Sequence, residues 1–342
     1  MEEGIVTGGT GSLRSGLRVV VLALLWGSTF LWTEVALRGF SPLQVTFIRC
    51  VLGALVLTAV CCATGRGMPR GVTVWRHITV AAFFCNALPF ALFGWGQQTV
   101  DSGLAGVLNA TTPLWSIVLG LALGSERGLR PARAAGLLLG FAGTIVLLAP
   151  WQGGGSIGWG ALAILGAAVS YALAFTYMGR TLVGKGTPTI SLSAAQLIAA
   201  SGLTAVVMPI GGLESIDPGP VVLGAAVVLA VLCTAITFHL TYRIINDEGA
   251  TNAAAVGYLL PVVAVLLGAV VLGENPGIRG VVGMVVILVG VGMTRGSGPT
   301  AASAAPADDG AVGGAFAAAK PAAGGGIVEV PGTRRATSGN EG

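Results

Sequence analysis

A chain of 342 residues in which 54% are hydrophobic and 9% charged, with a mean hydropathy of +0.85, is excluded from the soluble globular class, where about a quarter of residues are charged. Such a composition belongs in a bilayer. The formal net charge of +4 is small, and the placement of the basic residues makes it a topology signal, not a nucleic-acid footprint.

A helix crossing the bilayer needs about 20 apolar residues. Ten such stretches are predicted: Leu17 to Leu37, Leu43 to Thr64, Ile78 to Gln98, Ser102 to Gly124, Ala134 to Pro150, Trp159 to Gly179, Ile190 to Gly212, Val221 to Ile244, Thr251 to Gly273 and Val281 to Thr294. Runs this long do not alternate as the strands of a membrane barrel would. The opening MEEGIVTGGTGSLRSG lacks a small-residue cleavage pattern, so the first span is expected to stay as an anchor. After Arg295 the chain turns to Ala, Gly, Pro, Ser and Asp without periodicity, which reads as a disordered tail.

The fourth stretch recurs. Ala105, Pro113, Gly120 and Glu126 reappear as Ala253, Pro261, Gly268 and Glu274, at one constant offset of 148 residues. The chain is therefore read as a tandem repeat, five spans and five. Basic residues then set the orientation. With the N-terminus inside, Arg14, Arg18, Arg66, Arg70, Arg76, Arg127, Arg130, Arg133, Arg180, Lys185, Arg243 and Arg295 all fall on the inner side, and Arg38 and Arg279 on the outer. Both termini are expected in the cytoplasm. An odd number of spans per copy makes the second copy enter from the opposite side, an inverted repeat of the kind secondary transporters use. The fold class is thus an all-α polytopic membrane protein, ten transmembrane helices in two inverted five-helix repeats. The expected division is 1–16 a cytoplasmic segment, 17–150 the first repeat, 151–158 an outer loop, 159–295 the second repeat and 296–342 a cytoplasmic tail.

The motif LLWGSTF from Leu24 to Phe30, the Ser41-Pro42 pair with Arg49 in the second span, the repeated helix ending in glutamate and the Gly-rich span after it resemble the drug/metabolite transporter superfamily, EamA type. The resemblance covers roughly residues 18 to 295. It implies an exporter of small metabolites, amino acids among them, in a bacterial inner membrane. The second half departs from the pattern at Ser170-Tyr171, where a Trp-Gly pair is usual, and at Gln196, which falls near the position matching Arg49.

Polar and aromatic side chains at membrane depth are the candidate site. Asn109, Thr112 and Ser116 lie with Ala105 on one face of the fourth span; their counterparts Gly257, Leu260 and Ala264 are not polar, so a cavity would be lined more polarly by the first half. The bland alternative is helix packing through small residues. Trp26, Asn86, Trp95, Gln97, Tyr171, Gln196 and Tyr258 complete the cavity candidates. Pro113 and Pro261 remove a backbone bond at matching places and are candidate hinges or gates, or else fixed bends. Glu34 and Arg49 are expected to form an ion pair across the first hairpin. His239 is a candidate for proton coupling, against the plainer reading of a side chain at the interface. Trp32, Trp75, Trp151 and Trp159 sit near span ends as interface anchors.

Other chemistries find no support. Two histidines and five cysteines show no metal-ligand spacing, no phosphate-binding Gly-Lys-Ser/Thr loop occurs, and no nucleophilic or acid/base constellation stands out. The expectation is a non-enzyme with no catalytic residue, metal or cofactor. Its partners would be a small-molecule substrate, the lipid bilayer and a coupling ion, protons or another, with no nucleic acid; monomer and dimer stay open. The leading function is a secondary exporter of a small polar or amphipathic metabolite by alternating access. Its alternatives are a flippase for an amphipathic lipid or lipid-linked intermediate, and a membrane-embedded sensor or scaffold using the tail.

Overall fold

A computed structural model describes residues 7–100, 102–122, 131–148, 158–216, 218–263, 266 and 277–296. These are organised as ten helical segments. They are α1 (Thr7–Ala36), α2 (Pro42–Ala63), α3 (Val72–Gly96), α4 in two pieces (Ser102–Asn109 and Thr112–Ala122), α5 (Pro131–Leu148), α6 (Trp159–Thr181), α7 (Thr189–Gly211), α8 (Pro220–Glu248), α9 (Ala250–Val263) and α10 (Gly277–Gly296). No strand occurs among the described residues. Seven of the ten are long and apolar enough to cross a membrane; α4, α5 and α9 are shorter apolar helices at the remaining expected positions. Glu126, Gly268 and Glu274, the loop 151–157 and the tail after Gly296 lie outside the described residues.

The repeat is written into the irregularities of the helices. α3 carries a π-turn at Phe83–Ala87 and α8 another at Val231–Ile236, 148 residues further on, with Cys85 and Cys233 at the matching position. A π-turn leaves backbone groups short of a partner, which hydrocarbon does not supply. The Ser170 hydroxyl of α6 donates to the Phe84 carbonyl at 2.6 Å, and Thr234 donates to the Leu229 carbonyl at 2.8 Å. In α3 the cause is visible: Pro89 has no N–H to return to Cys85.

The proline positions behave alike. Both helices depart from α geometry just before the expected kink: α4 opens into turns at Ala110 and Thr111, ahead of Pro113, and α9 tightens to 3-10 at Val256–Tyr258, ahead of Pro261. Between α8 and α9 there is no connecting loop beyond Gly249, whose φ of 89° needs glycine.

Packing crosses between the halves in matched pairs. α2 packs on α7 and α5 on α10; α3 packs on α6 as α8 packs on α1. Exchanging the halves sends each pair into another member of the same set, so a pseudo-two-fold axis runs between them. Ser41 caps α2 in a capping box with Gln44, and the Gln44 amide donates to the carbonyls of Gly212 and Glu214 at 3.0 and 2.9 Å, tying the start of α2 to the end of α7. Arg18 of α1 forms an ion pair with Asp247 at the end of α8.

The α5/α10 pair depends on missing side chains. A Cβ on Gly290 would lie 2.6 Å from the Gly136 carbonyl and from the Gly140 nitrogen, and one on Gly143 2.8 Å from the Ile287 nitrogen. Gly290→Val is expected to destabilise the protein by about 1–3 kcal/mol through overpacking, seen as a lower unfolding midpoint in detergent. Gly292→Val, two residues away with no atom within 4 Å of its Cβ, should leave the midpoint unchanged.

Candidate functional site

Side chains from seven of the ten helical segments meet in a partly enclosed central cavity of about 610 Å³, its open mouth included. α1 brings Trp26, Thr29, Phe30 and Thr33, at the spacing of one helical face. α2 brings Arg49, and α3 with its C-cap brings Phe90, Phe93 and Gln97. α4 adds Asn109 and Thr112, α6 Tyr171 and Phe175, α8 Phe238, and α9 Ala254, Gly257 and Leu260. Three pairs of these positions are related by the repeat offset: Phe90 with Phe238, Asn109 with Gly257, and Thr112 with Leu260. A cavity lined by both members of such pairs straddles the pseudo-two-fold axis, which for an inverted repeat lies near mid-membrane.

Rings form the wall. Trp26 stacks on Phe175 with centroids 6.1 Å apart and planes 8° apart, Phe175 meets Tyr171 at 5.9 Å, and Tyr171 meets Phe93 at 6.2 Å. Phe93 meets Phe30 at 5.7 Å, and Phe90 and Phe238 meet edge to face at 5.9 Å. The polar groups sit on this frame. The Thr112 hydroxyl donates to the Asn109 carbonyl at 2.7 Å, across the break in α4, and the Gln97 amide donates to the Phe30 carbonyl at 3.4 Å.

Arg49 is 5% exposed. Its Cζ lies 3.7 Å from the centroid of Phe90, and its Nε donates to Thr234 Oγ1 at 3.1 Å. The expected ion pair with Glu34 is not formed. Glu34 in the last turn of α1 and Arg38 in the turn that follows it approach to 3.7 Å with both side chains largely exposed, so the carboxylate stays at the surface while Arg49 on α2 is buried. An arginine at the centre of a spanning helix costs about 3 kcal/mol, which the ring face and the threonine offset in part.

Of the residues singled out in the sequence, Trp26, Gln97, Asn109, Thr112 and Tyr171 line the cavity. Five others lie elsewhere. Asn86 and Gln196 are fully buried and bonded to each other, Gln196 Nε2 to Asn86 Oδ1 at 2.6 Å, and Tyr242 donates to Gln196 Oε1. They join α3, α7 and α8, because an amide in hydrocarbon takes the first partner within reach. Asn86, in one π-turn, bonds to α7 as Thr234, in the other, bonds to α2, so the two contacts are repeat-related. Trp95 is 47% exposed and faces away from the interior. Tyr258 lies against Gly140, where a Cβ would meet its ring at 2.9 Å, and packs in the α5/α10 cluster; Ser116 is buried in the second piece of α4 and does not line the cavity. Among the described residues the hydroxyls of Ser116 and Tyr258 have no hydrogen-bond partner. His239 is half-buried on α8 and does not line the cavity. Pro113 and Pro261 are buried next to the irregular turns beneath Thr112 and Leu260.

Sequence reasoning missed Thr29, Thr33, Phe30, Phe90, Phe93, Phe175 and Phe238 as cavity residues. One signal was available: Phe90 and Phe238 are identical at the offset of 148. The others carry no mark that separates a cavity ring from a core ring.

The model of the EamA-like transporter family matches residues 15–149 and again 158–296. The inner membrane transporter YedA of Escherichia coli K12 is 28% identical over 265 residues, which cover 74% of this chain and 81% of that one. The transporter YvbV of Bacillus subtilis is 25% identical over 287 residues, 81% and 90% of the two chains. A WAT1-related chloroplastic protein of Arabidopsis thaliana is 25% identical over 301 residues, 85% and 71%. A solved crystal structure superposes with a TM-score of 0.69 at 24% identity, over 82% of this chain and 98% of that one, a likeness of fold.

The buried amide contact generates a stability prediction. Gln196→Leu leaves Asn86 and Tyr242 without their partner and is expected to cost about 2–4 kcal/mol. Adding Asn86→Leu should recover part of that loss, because it removes one of the two orphaned groups. Chemical unfolding of the single and double variants in detergent measures both.

Proposed function

Because the chain belongs to the EamA-like transporter family and is a multi-pass membrane transporter with a small-molecule substrate, we propose that it exports a small polar or amphipathic metabolite, an amino acid or a related compound, by alternating access. The observation that carries this reading is the cavity on the pseudo-two-fold axis, lined by repeat-related positions of both halves. A site on that axis keeps its contacts when the two inverted halves rock against each other, so the same residues can face either side in turn.

The irregular turns before Pro113 and Pro261 supply the compliance. Each lies directly under a cavity residue, Thr112 in one half and Leu260 in the other, and each lacks a regular backbone bond to stiffen it. The distribution of arginines supports cytoplasmic termini, with the protein in the cytoplasmic membrane. The Arg18–Asp247 pair then sits on the cytoplasmic side and joins a helix of the first half to one of the second, the position of a latch that inward opening would break. An ion gradient, of protons or another ion, would drive the cycle. The polar face of the first half would orient the solute's hydrogen-bonding groups, and the aromatic belt would take its apolar part.

Untargeted metabolite profiling of cells lacking or overproducing the protein tests the direction and class. A solute that rises in the medium on overproduction and in the cell on deletion supports export; altered envelope lipids with an unchanged solute profile support a flippase instead. Asn109→Ala is expected to lower flux about tenfold, the loss of roughly one hydrogen bond to the solute, with expression and unfolding midpoint unchanged. Unchanged flux removes Asn109 from the path.

A further inference from the structure

Among the described residues, the cavity lining holds one formal charge, Arg49, and neither Asp nor Glu, and no carboxylate lies within ion-pair distance of Arg49. A guanidinium carries five N–H donors and keeps its charge in proteins. The hydrogen bond to Thr234 occupies Nε, and Phe90 covers one face of the plane. The terminal nitrogens, the fork that grips a carboxylate or a phosphate with two parallel bonds, have no hydrogen-bond partner among the described residues, and the side chain lines the cavity. Such a charge in a low-dielectric wall lacks its counter-ion, and a bound anion supplies it.

The rest of the lining decides what kind of anion. Among the described residues, the lining besides Arg49 and the rings consists of the neutral polar groups Thr29, Thr33, Gln97, Asn109 and Thr112 and the non-polar Ala254, Gly257 and Leu260. A strongly hydrated, multiply charged solute would meet one cation and an apolar wall, and would lose more hydration than the site returns. We infer that the cavity takes a small monoanion with an apolar body, its carboxylate or equivalent anionic group held by Arg49 and its hydrocarbon or aromatic part seated in the belt of rings, and that it excludes organic cations. Arg49 is thereby the specificity-determining residue of the site. This inference rests on the cavity being the transport site.

The test uses the full-length protein in nanodiscs of neutral phosphatidylcholine and three probes that share one ring and one chain length: 3-phenylpropanoate, 3-phenylpropanamide and 3-phenylpropylammonium. Binding is read by calorimetry. The carboxylate is expected to bind about tenfold tighter than the amide, the scale of a charge-assisted bidentate contact, and the ammonium weakest. Arg49→Gln should bring the carboxylate level with the amide, and Arg49→Lys should retain part of the preference. The ranking in the unaltered protein stands even if the Gln variant fails to fold. Equal or tighter binding of the amide or the ammonium, an unchanged preference in Arg49→Gln, or no binding of any probe at millimolar concentration would each overturn the proposal. Replacing the lipid with phosphatidylglycerol should leave the carboxylate affinity unchanged. A marked loss there would assign the arginine to lipid headgroups and overturn the soluble-solute class. Counterflow of labelled 3-phenylpropanoate in proteoliposomes keeps the two readings apart. The expected binding order without flux upholds the anion site and sinks transport, whereas flux without charge preference sinks the anion site and upholds transport.

Discussion

Inside hydrocarbon, every backbone N–H and C=O must find its partner within the protein, and the architecture follows from that constraint. It makes each spanning segment a helix, and it makes every departure from helical geometry conspicuous, because something must take up the freed groups. The two π-turns show this most directly. One is served from a neighbouring helix, through the Ser170 hydroxyl to the Phe84 carbonyl; the other is served from within, through Thr234 to the Leu229 carbonyl. The same threonine also receives Arg49, so a local backbone irregularity becomes the seat of the cavity's charge.

Symmetry and divergence divide the labour. The paired positions along the 148-residue offset keep the frame: equivalent π-turns, equivalent departures before Pro113 and Pro261, and matched packing of α2 on α7 and α5 on α10. At the cavity the pairs differ in chemistry. Asn109 and Thr112 face Gly257 and Leu260, so hydrogen bonding is concentrated in the first half and shape complementarity in the second. A solute in such a site is held asymmetrically by a symmetric scaffold.

The polar residues sorted themselves by a simple physical rule. A side-chain amide in a bilayer protein satisfies itself with another side chain where one is near enough, and only those without such a partner remain for a ligand. Asn86 and Gln196 found each other and became a staple between α3 and α7. Asn109 sits where α4 opens; its Oδ1 accepts only a long bond of 3.5 Å from the Thr112 hydroxyl, and its side chain lines the cavity. In the sequence these three amides are all polar residues well inside predicted spans, and nothing in the pattern separates the pair from the cavity residue. Likewise Glu34 and Arg49 look like a pair, but Glu34 stays exposed beside Arg38 while Arg49 is buried against Phe90 and Thr234.

The sequence by itself determined the number and order of the helices, the two-copy organisation, the irregularities at Pro113 and Pro261 and the first half's polar face, because hydropathy, helical period and internal identity are properties of the chain read one residue at a time. Only the tertiary structure decided which residues share the cavity. That question depends on which helix faces which. Trp95, near the end of its span, looks outward, and Trp26, in the middle of its span, stacks on Phe175; Tyr258 slides against Gly140 because glycine leaves room there; Arg49 reaches the cavity because Phe90 and Thr234 receive it. Such choices are made by contacts between residues far apart in the chain, and a linear pattern carries no record of them beyond the repeated Phe90 and Phe238.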